Sequence, residues 1–236
     1  MNADHGKPDY EYHITGKSGD LTRIPLYLDK NAGTIHIPAD FRAPRWARLG
    51  HQQCSHCPLD PAVTRDCPVA RNVAYVFSLA SWGNSFEDIH LEVLTPQRTY
   101  AMDTSLQRAL GALFGLVCAL SSCPYMLPLR PMGLFHLPLA TESETFFRAA
   151  SVFLMHKYLQ SETDPDTRVD LSSMEEAYAN LHEINRSFAC RLRDIDGAEA
   201  ATNAIILLDM LTRDVTFQLE EQMPHLRRLF GLEPGH

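Results

Sequence analysis

Three cysteines lie within the fourteen residues CSHCPLDPAVTRDC, 54–67. Cys54 and Cys57 are separated by two residues, so a tight turn can direct both thiolates at one ion, and Cys67 can supply a third ligand. Structural zinc takes four Cys or His ligands in a tetrahedron, so this spacing predicts a metal site. The candidates for the fourth ligand are His51, His56 and the more distant Cys123.

Three interpretations of this cluster stay open. Zinc (Zn²⁺) is favoured, since a Cys-x2-Cys pair in a chain without an export signal is typical of a metal site. A [4Fe-4S] cluster is the alternative, because it also takes four cysteines and a Cys-Pro pair occurs in ferredoxin sequences, although their compact run of cysteines is missing here. The third interpretation is reduced thiols without a metal. Either metal would order a loop of about 20 residues that has no hydrophobic periodicity of its own.

The remaining cysteines stand in different contexts. Cys123 lies in SSCPYM and, like Cys57 and Cys67, is followed by proline. Cys118 and Cys190 lie inside apolar helical patterns, where we expect inert packing residues. Four thiolates would make a structural site, whereas three thiolates and an open position would allow a substrate or water to bind.

The proline-rich segment CPYMLPLRPMGLFHLPLATESE contains a second candidate group. A long apolar loop at 124–140 must pack over something or line a pocket. Under an enzyme hypothesis His136 is the acid/base or a ligand, with Glu144 or Arg148 as helpers. Structural roles compete with this hypothesis. A lone histidine in an apolar stretch is more often a satisfied core residue, Glu144 fits a capping box, and Arg148 can pair with it one helical turn later.

Polar residues also interrupt the apolar faces of two predicted helices. Asn185 lies on one, Asn203 lies near the apolar side of the other, and Asp209 follows further along. A buried Asn must find hydrogen-bond partners, so we favour an inter-helix network over the lining of a cavity next to His136. No nucleotide-binding glycine loop, nucleophile elbow or HExxH motif is present, which disfavours cofactor enzymes with strong fingerprints.

The elements that would position these residues begin with short strands. Alternating apolar residues predict strands around 10–14, 24–28 and 35–37, joined by Gly- and Asp-containing turns as a β-meander. A further hairpin is predicted over 89–102. Pro68 fits the first turn of a helix, where its missing N–H costs nothing.

From residue 105 onward the pattern predicts helices. The segment 105–121 is apolar almost all round, as in a buried central helix. The capping-box patterns Thr141-x-x-Glu144 and Ser172-x-x-Glu175 open helices over 142–160 and 173–193. A long helix is predicted after Gly197 and a short one after Pro224.

Together these elements predict an α+β fold in a single domain, 1–236. A small N-terminal antiparallel sheet, made of the meander and the hairpin, precedes a bundle of four to five helices. The predicted divisions are the β-meander at 1–50, the cysteine loop at 51–72, a helix plus hairpin at 73–104 and the helical bundle at 105–236.

The charge distribution bears on the partners of the protein. The net charge is −8; residues 1–72 carry nine Lys and Arg against eight Asp and Glu, and residues 73–236 carry twelve against twenty-one. An acidic helical half lacks the clustered basic side chains that phosphate contacts need, so we expect no nucleic acid. The longest apolar run, 109–120, is well short of the roughly 20 residues that span a bilayer, so we expect no membrane. A polar start and six cysteines favour the reducing cytoplasm.

The motifs CSHCPL, CPVA and CPYMLPLRPMGLFHLPLATESETFFRAAS resemble an uncharacterised bacterial family, known as a domain of unknown function. In that family a short β region leads to a CxxCPL…CPVA loop and then to a CP…PM..FHLP segment that opens a helix. The resemblance spans most of the chain and brings no established activity. It implies that Cys54, Cys57, Cys67, Cys123 and His136 belong to the family pattern, and it groups Cys123 with the loop cysteines.

We therefore expect a cytoplasmic metal-binding protein in which these four cysteines hold one zinc that ties the loop to the helices. It would serve as an accessory, adaptor or sensing module. One alternative is an enzyme with a pocket under 124–140 that uses His136, and the other is an Fe–S or thiol redox or sensor protein. An unknown protein partner is compatible with this expectation, and an exposed apolar helix face would allow a homodimer.

Overall fold

The computed structural model describes residues 6–80, 86–195, 201–206, 209, 223–224 and 226–232. The strands are β1 Tyr10–Gly16, β2 Leu21–Leu26, β3 Leu28–Asp29, β4 Thr34–Ile35, β5 Asp88–Leu94 and β6 Thr99–Ser105. The longer helices are α1 Pro68–Leu79, α2 Leu106–Ala119, α3 Arg130–Leu134, α4 Glu142–Ser161 and α5 Met174–Arg193, and 3₁₀ helices cover Arg45–Ala47 and Pro124–Leu129. The predicted α+β class is confirmed.

The main sheet has four antiparallel strands in the order β2-β1-β5-β6. Tyr12 sits at its centre, opposite Ile24 on β2 and Val93 on β5, and all three side chains are buried. The alternation in β1 therefore faces the core as predicted. The meander is not continuous, however. The predicted third strand leaves this sheet and forms the small β3–β4 ribbon, and β1 pairs instead with the later hairpin strand β5.

Helix α2 is the central helix that its all-round apolar pattern predicts. Ten of its fourteen residues are buried, and it contacts β5 and β6 of the sheet as well as α1 and α3. Gly133 allows α3 to approach the end of α2 closely, because an added Cβ would lie 2.7 Å from Cγ of Leu120. Helix α1 begins with Pro68 in its first turn, as predicted.

Two predictions about local structure are wrong. Ser172 does not cap α5: its hydroxyl donates to Asp170 (2.5 Å), and the N-cap residue Ser173 makes no side-chain cap. The proline-rich segment 124–140 is also not a simple loop, since it folds into the 3₁₀ helix Pro124–Leu129 and α3. Prolines in the first turn of each piece suit these short helices.

The end of the chain is described only in part. The long helix predicted after Gly197 falls mostly outside the described residues, although 201–206 are helical. Within the described part, no single helix is long and apolar enough to cross a membrane, while α2 together with Pro124–Leu134 passes by length and composition as a pair bent by 113°. Helix α4 exposes Phe147, Met155 and Leu159, and a homodimer through this face stays a prediction.

Candidate metal centre

The four predicted ligands are presented by two kinds of local structure. Cys54 and Cys57 flank a tight turn, in which the Cys57 N–H donates to the Cys54 carbonyl (3.1 Å). Cys67 and Cys123 are each the N-cap residue of a helix whose next residue is proline, α1 for Cys67 and the 3₁₀ helix Pro124–Leu129 for Cys123. The recurring Cys-Pro pair thus has a local cause, because proline is favoured at the first position of a helix.

These four side chains form one connected group, called here the cysteine site. Cys54 interacts electrostatically with Cys57 and Cys67, and Cys123 interacts with Cys67 and Cys54. All four are free thiols. The fold therefore brings Cys123 to the loop cysteines across more than fifty residues of chain, whereas the residues alone left it as one of three candidates for the fourth ligand and the resemblance favoured it.

A fifth cysteine adjoins this group. Cys118, near the end of α2, interacts with both Cys67 and Cys123. It is buried, as predicted for a packing residue, and burial raises its pKa far above the usual thiol value. Its position beside the cysteine site was missed. Cys118 stands five residues before Cys123 in the sequence, just beyond one helical turn, and this spacing could have indicated that the two lie close together.

Burial favours the protonated form of two of these thiols, Cys54 and Cys123, in the absence of a bound cation. It raises the pKa of the Cys123 thiol to about 11 and also raises the pKa of Cys54. A hydrogen bond from Ser187 and the positive charge of Arg191 act in the opposite direction on the pKa of Cys54. Metals bind thiolates rather than thiols, so a metal at this site would release protons and bind more tightly as the pH rises.

Helix α5 carries a polar stripe that holds the cysteine loop. Its members are Glu183, Ser187 and Arg191, which follow one another at intervals of four residues on one face. The hydroxyl of Ser55, next to Cys54, donates to Oε1 of Glu183 (3.1 Å). The spacing of four residues in the α5 stripe is visible in the sequence, but the predictions for this helix rested on its apolar face and did not include the stripe.

Arg191 is the most unusual member of the α5 stripe, because its side chain is charged and only 2% of the residue is exposed. Its guanidinium donates to the carbonyls of Trp46 (3.1 Å), Arg48 (2.7 Å) and Leu49 (3.1 Å). These bonds hold the segment 46–49 that leads into the cysteine loop.

The same segment is bonded to the chain around Cys67. The Cys67 N–H donates to the Ala47 carbonyl (2.9 Å), and the Leu49 N–H donates to the Arg65 carbonyl (3.0 Å). Segment 46–49 thus lies between the α5 stripe on one side and the third cysteine on the other. Shortly after it, Gln52 adopts a left-handed conformation (φ 47°), which non-glycine residues rarely adopt.

Asn72 connects α1 with the end of α2, close in sequence to Cys123. Its buried amide Nδ2 donates to the carbonyls of Val117 (2.9 Å) and Leu120 (3.3 Å) at the end of α2. Asn72 lies five residues after Cys67, and Leu120 lies three before Cys123. This contact therefore holds α1 against the end of α2, three residues before Cys123.

The four thiols are ligands that a thiophilic metal prefers, but their side chains are not gathered around one point. Nε2 of His56, beside Cys57, is buried without a hydrogen-bond partner, while its ring packs on Tyr125 with centroids 4.5 Å apart. A polar atom in this condition is what a ligand would satisfy. Across the described ranges, no three His, Cys, Asp or Glu side chains are arranged to hold a metal ion. The cysteines thus converge without closing around a single ion.

The second candidate group has structural contacts for each of its members. Nε2 of His136 lies 2.6 Å from the Tyr12 hydroxyl, and Tyr10 meets the ring edge-on. Arg148 donates to the carbonyls of Met132 and Phe135, and Glu144 completes the predicted capping box with Thr141. These contacts account for all three residues, and their catalytic role stays a prediction.

His136 also makes stability depend on pH. Burial, assisted by the charge of Arg148, lowers its pKa to about 3 from an ordinary value of 6.5. Between these values the unfolded chain binds a proton that the folded protein does not bind. The contribution of His136 to stability is therefore complete above pH 6.5 and is lost as the pH falls from 6.5 towards 3.

The polar residues of the later helices are partly described. Asp209 bonds His182 on α5, with Oδ1 and Nδ1 2.5 Å apart. The predicted network between Asn185 and Asn203 stays a prediction.

Comparison with known proteins identifies one family. The protein-family model described as "Domain of unknown function (DUF6901)" matches residues 9–231. No curated protein and no solved structure matches the chain. The resemblance to an uncharacterised domain family is confirmed, and the cysteine pattern attributed to that family stays a prediction.

Proposed function

Since the chain belongs to the DUF6901 family, which brings no known activity, we propose a function from the cysteine site itself. The protein is a metal-binding protein whose centre is held by Cys54, Cys57, Cys67 and Cys123, and it acts as an accessory, adaptor or sensing module. The observation that carries this proposal is the convergence of the Cys54–Cys57 turn with two Cys-Pro helix starts from distant parts of the chain.

Zinc is the metal that we propose first. Four thiolates are a common ligand set for structural zinc, and each Zn–S bond measures about 2.3 Å, which places neighbouring sulfurs about 4 Å apart. Binding would draw the thiols together and fasten the cysteine loop to α1 and to the 3₁₀ helix Pro124–Leu129. The free energy of binding would thereby stabilise the folded loop.

A [4Fe-4S] cluster is the second candidate, and one observation favours it. The four cysteines form a connected group, yet no three of the described metal-binding side chains are arranged around a single ion. An iron–sulfur cluster spaces its four cysteines more widely than one zinc ion does, because several metal atoms lie between them. With a cluster the protein would have a redox or sensing role.

Metal content and colour distinguish the two candidates. The full chain is purified without oxygen or added metal, and its zinc, iron and sulfide are measured with a visible spectrum. About one zinc per chain without colour supports the zinc centre. Iron with sulfide and a brown colour supports the cluster. Protein without either metal, which also fails to take up Zn²⁺ or to accept a reconstituted cluster, contradicts the proposal.

A substitution within the cysteine site tests the ligand assignment. Cys57→Ser should remove the metal and lower the temperature of thermal unfolding, because three thiolates leave the centre incomplete. Cys190→Ser is the matched control: Cys190 is also a partly buried free thiol, but it lies on α5 and outside the cysteine site. Unchanged metal content in Cys57→Ser, or an equal loss in the control, would contradict the assignment.

A further inference from the structure

Arg191 places a positive charge inside the protein next to the cysteine site. A guanidinium is cationic in proteins. Three backbone carbonyls accept from it, and in the described part of the chain no Asp or Glu forms an ion pair with it. Carbonyl dipoles solvate a cation, but they do not cancel its charge, so burial without an anion is unfavourable.

A metal centre with four thiolates would supply a negative charge beside Arg191. Four thiolates outweigh the two positive charges of a zinc ion, so the complete centre is an anion. The same excess of negative charge holds for an iron–sulfur cluster with four cysteine ligands. The positive charge of Arg191 already reaches Cys54, where it favours the thiolate.

The position of Arg191 adds a geometric link to the electrostatic one. Its three bonds hold segment 46–49, whose Ala47 carbonyl accepts from the N–H of Cys67. The hydroxyl of Ser187, one turn earlier on α5, donates to Oε1 of Glu183 (3.5 Å), which also accepts from Ser55 next to Cys54. One face of α5 therefore touches the surroundings of both loop cysteines that interact with Cys123.

We propose that Arg191 is the counter-charge of the cysteine site: a positioning residue whose buried guanidinium offsets the negative charge of the metal–thiolate centre while it holds segment 46–49 beside that centre. This inference rests on the proposed metal-binding function. It predicts that the charge of Arg191 stabilises the metal-bound protein more than the metal-free protein.

Three substitutions in the full-length chain separate charge from structure. Arg191→Met removes the charge, Arg191→Lys keeps it but loses the forked donors, and Arg193→Met removes an exposed arginine two residues later on the same helix. Zn²⁺ affinity is measured by competition with a chelator, and thermal unfolding is measured for metal-free and zinc-bound forms. Arg191→Met should weaken zinc binding by about 10- to 100-fold, as is typical of groups that support metal ligands. Arg191→Lys should lose distinctly less, and Arg193→Met should bind as the wild type does.

The unfolding temperatures of the zinc-bound and metal-free forms distinguish a role of the charge at the metal centre from a purely structural role, which would lower both temperatures equally. Arg191→Met should lower the unfolding temperature of the zinc-bound form by more than that of the metal-free form. Equal lowering of both forms, or zinc affinity equal to that of wild type, would overturn the inference while leaving the metal site in place. If Arg191→Met does not fold, a loss in Arg191→Lys as large as 100-fold would overturn it, because the charge is retained there.

A cluster in place of zinc calls for a different readout. If the wild type contains iron and sulfide, the same variants are compared by reduction potential. Arg191→Met should lower the potential, because the removed cation favours the more negative, reduced state, and an unchanged potential would overturn the inference. Wild-type protein that binds neither zinc nor a cluster would overturn the proposed function, and this inference with it.

Discussion

Replacement of Asn72 tests how α1 is held against the end of α2, close in sequence to both Cys-Pro helix starts. Its amide donates to the carbonyls of Val117 and Leu120, and only 7% of the residue is exposed. In Asn72→Ala the Leu120 carbonyl keeps a second donor, the N–H of Ile35 (3.2 Å). The Val117 carbonyl loses its bond from Asn72. The N–H of Ser121, which would continue the helical pattern, donates to Cys118 instead.

The expected loss in the free energy of unfolding follows from these hydrogen bonds. A buried carbonyl without a partner costs about 1–3 kcal/mol, and the lost amide also leaves a small void. We therefore expect Asn72→Ala to reduce the free energy of unfolding by about 2–3 kcal/mol. Asn72→Asp should cost more, about 3–5 kcal/mol, because a carboxylate would face two carbonyl oxygens in a buried position.

Urea unfolding at neutral pH and equal protein concentration measures these differences. Ser78→Ala is the control, since Ser78 is exposed on the same helix and its change should stay within about 0.5 kcal/mol. A value for Asn72→Ala within about 0.5 kcal/mol of wild type would refute the reasoning. So would an Asp variant that is no less stable than the Ala variant, because the sign of the buried charge would then not matter.

Three further substitutions test other contacts. Below pH 6.5 the free energy of unfolding of the wild type should fall by about 1.4 kcal/mol per pH unit because of His136, and His136→Gln should abolish this dependence. Urea unfolding between about pH 7 and pH 5 measures the difference. An equal dependence of stability on pH in variant and wild type would contradict a neutral, buried ring. Gly133→Ala should lower the free energy of unfolding by about 1–2 kcal/mol, because crowding against Leu120 outweighs the gain in helix propensity. Adding Leu120→Val to this variant should restore part of the lost stability. If Gly133→Ala alone were more stable than wild type, the close approach would be refuted. Thr141→Ala should lower stability by about 1 kcal/mol in thermal unfolding through loss of the capping box, and no change would show that the cap is dispensable.

Errors in the sequence-based predictions arose where two local patterns competed. Ser172-x-x-Glu175 matches a capping box as well as Thr141-x-x-Glu144 does, but only Thr141 caps its helix. The hydroxyl of Ser172 bonds Asp170 instead, because short polar side chains bond nearby groups in several alternative ways. The prolines of 124–140 indicated a loop, although proline is equally compatible with the first turn of a short helix.

Features that depend on neighbours within about one helical turn could be read from the sequence. These include the buried alternation of β1, the start of α1 at Pro68, the apolar character of α2 and the turn that pairs Cys54 with Cys57. Each follows from residue type and spacing, because the interacting groups are a few residues apart.

The tertiary structure alone decided which distant segments meet. It paired β1 with β5, brought Cys118 and Cys123 to Cys67, and buried Arg191 against the carbonyls of segment 46–49. No local pattern encodes these contacts, because they depend on how the whole chain packs its apolar surface and satisfies its buried polar groups. The sequence by itself thus determined the chemical types in the cysteine site, and the fold determined their grouping and the charge beside them.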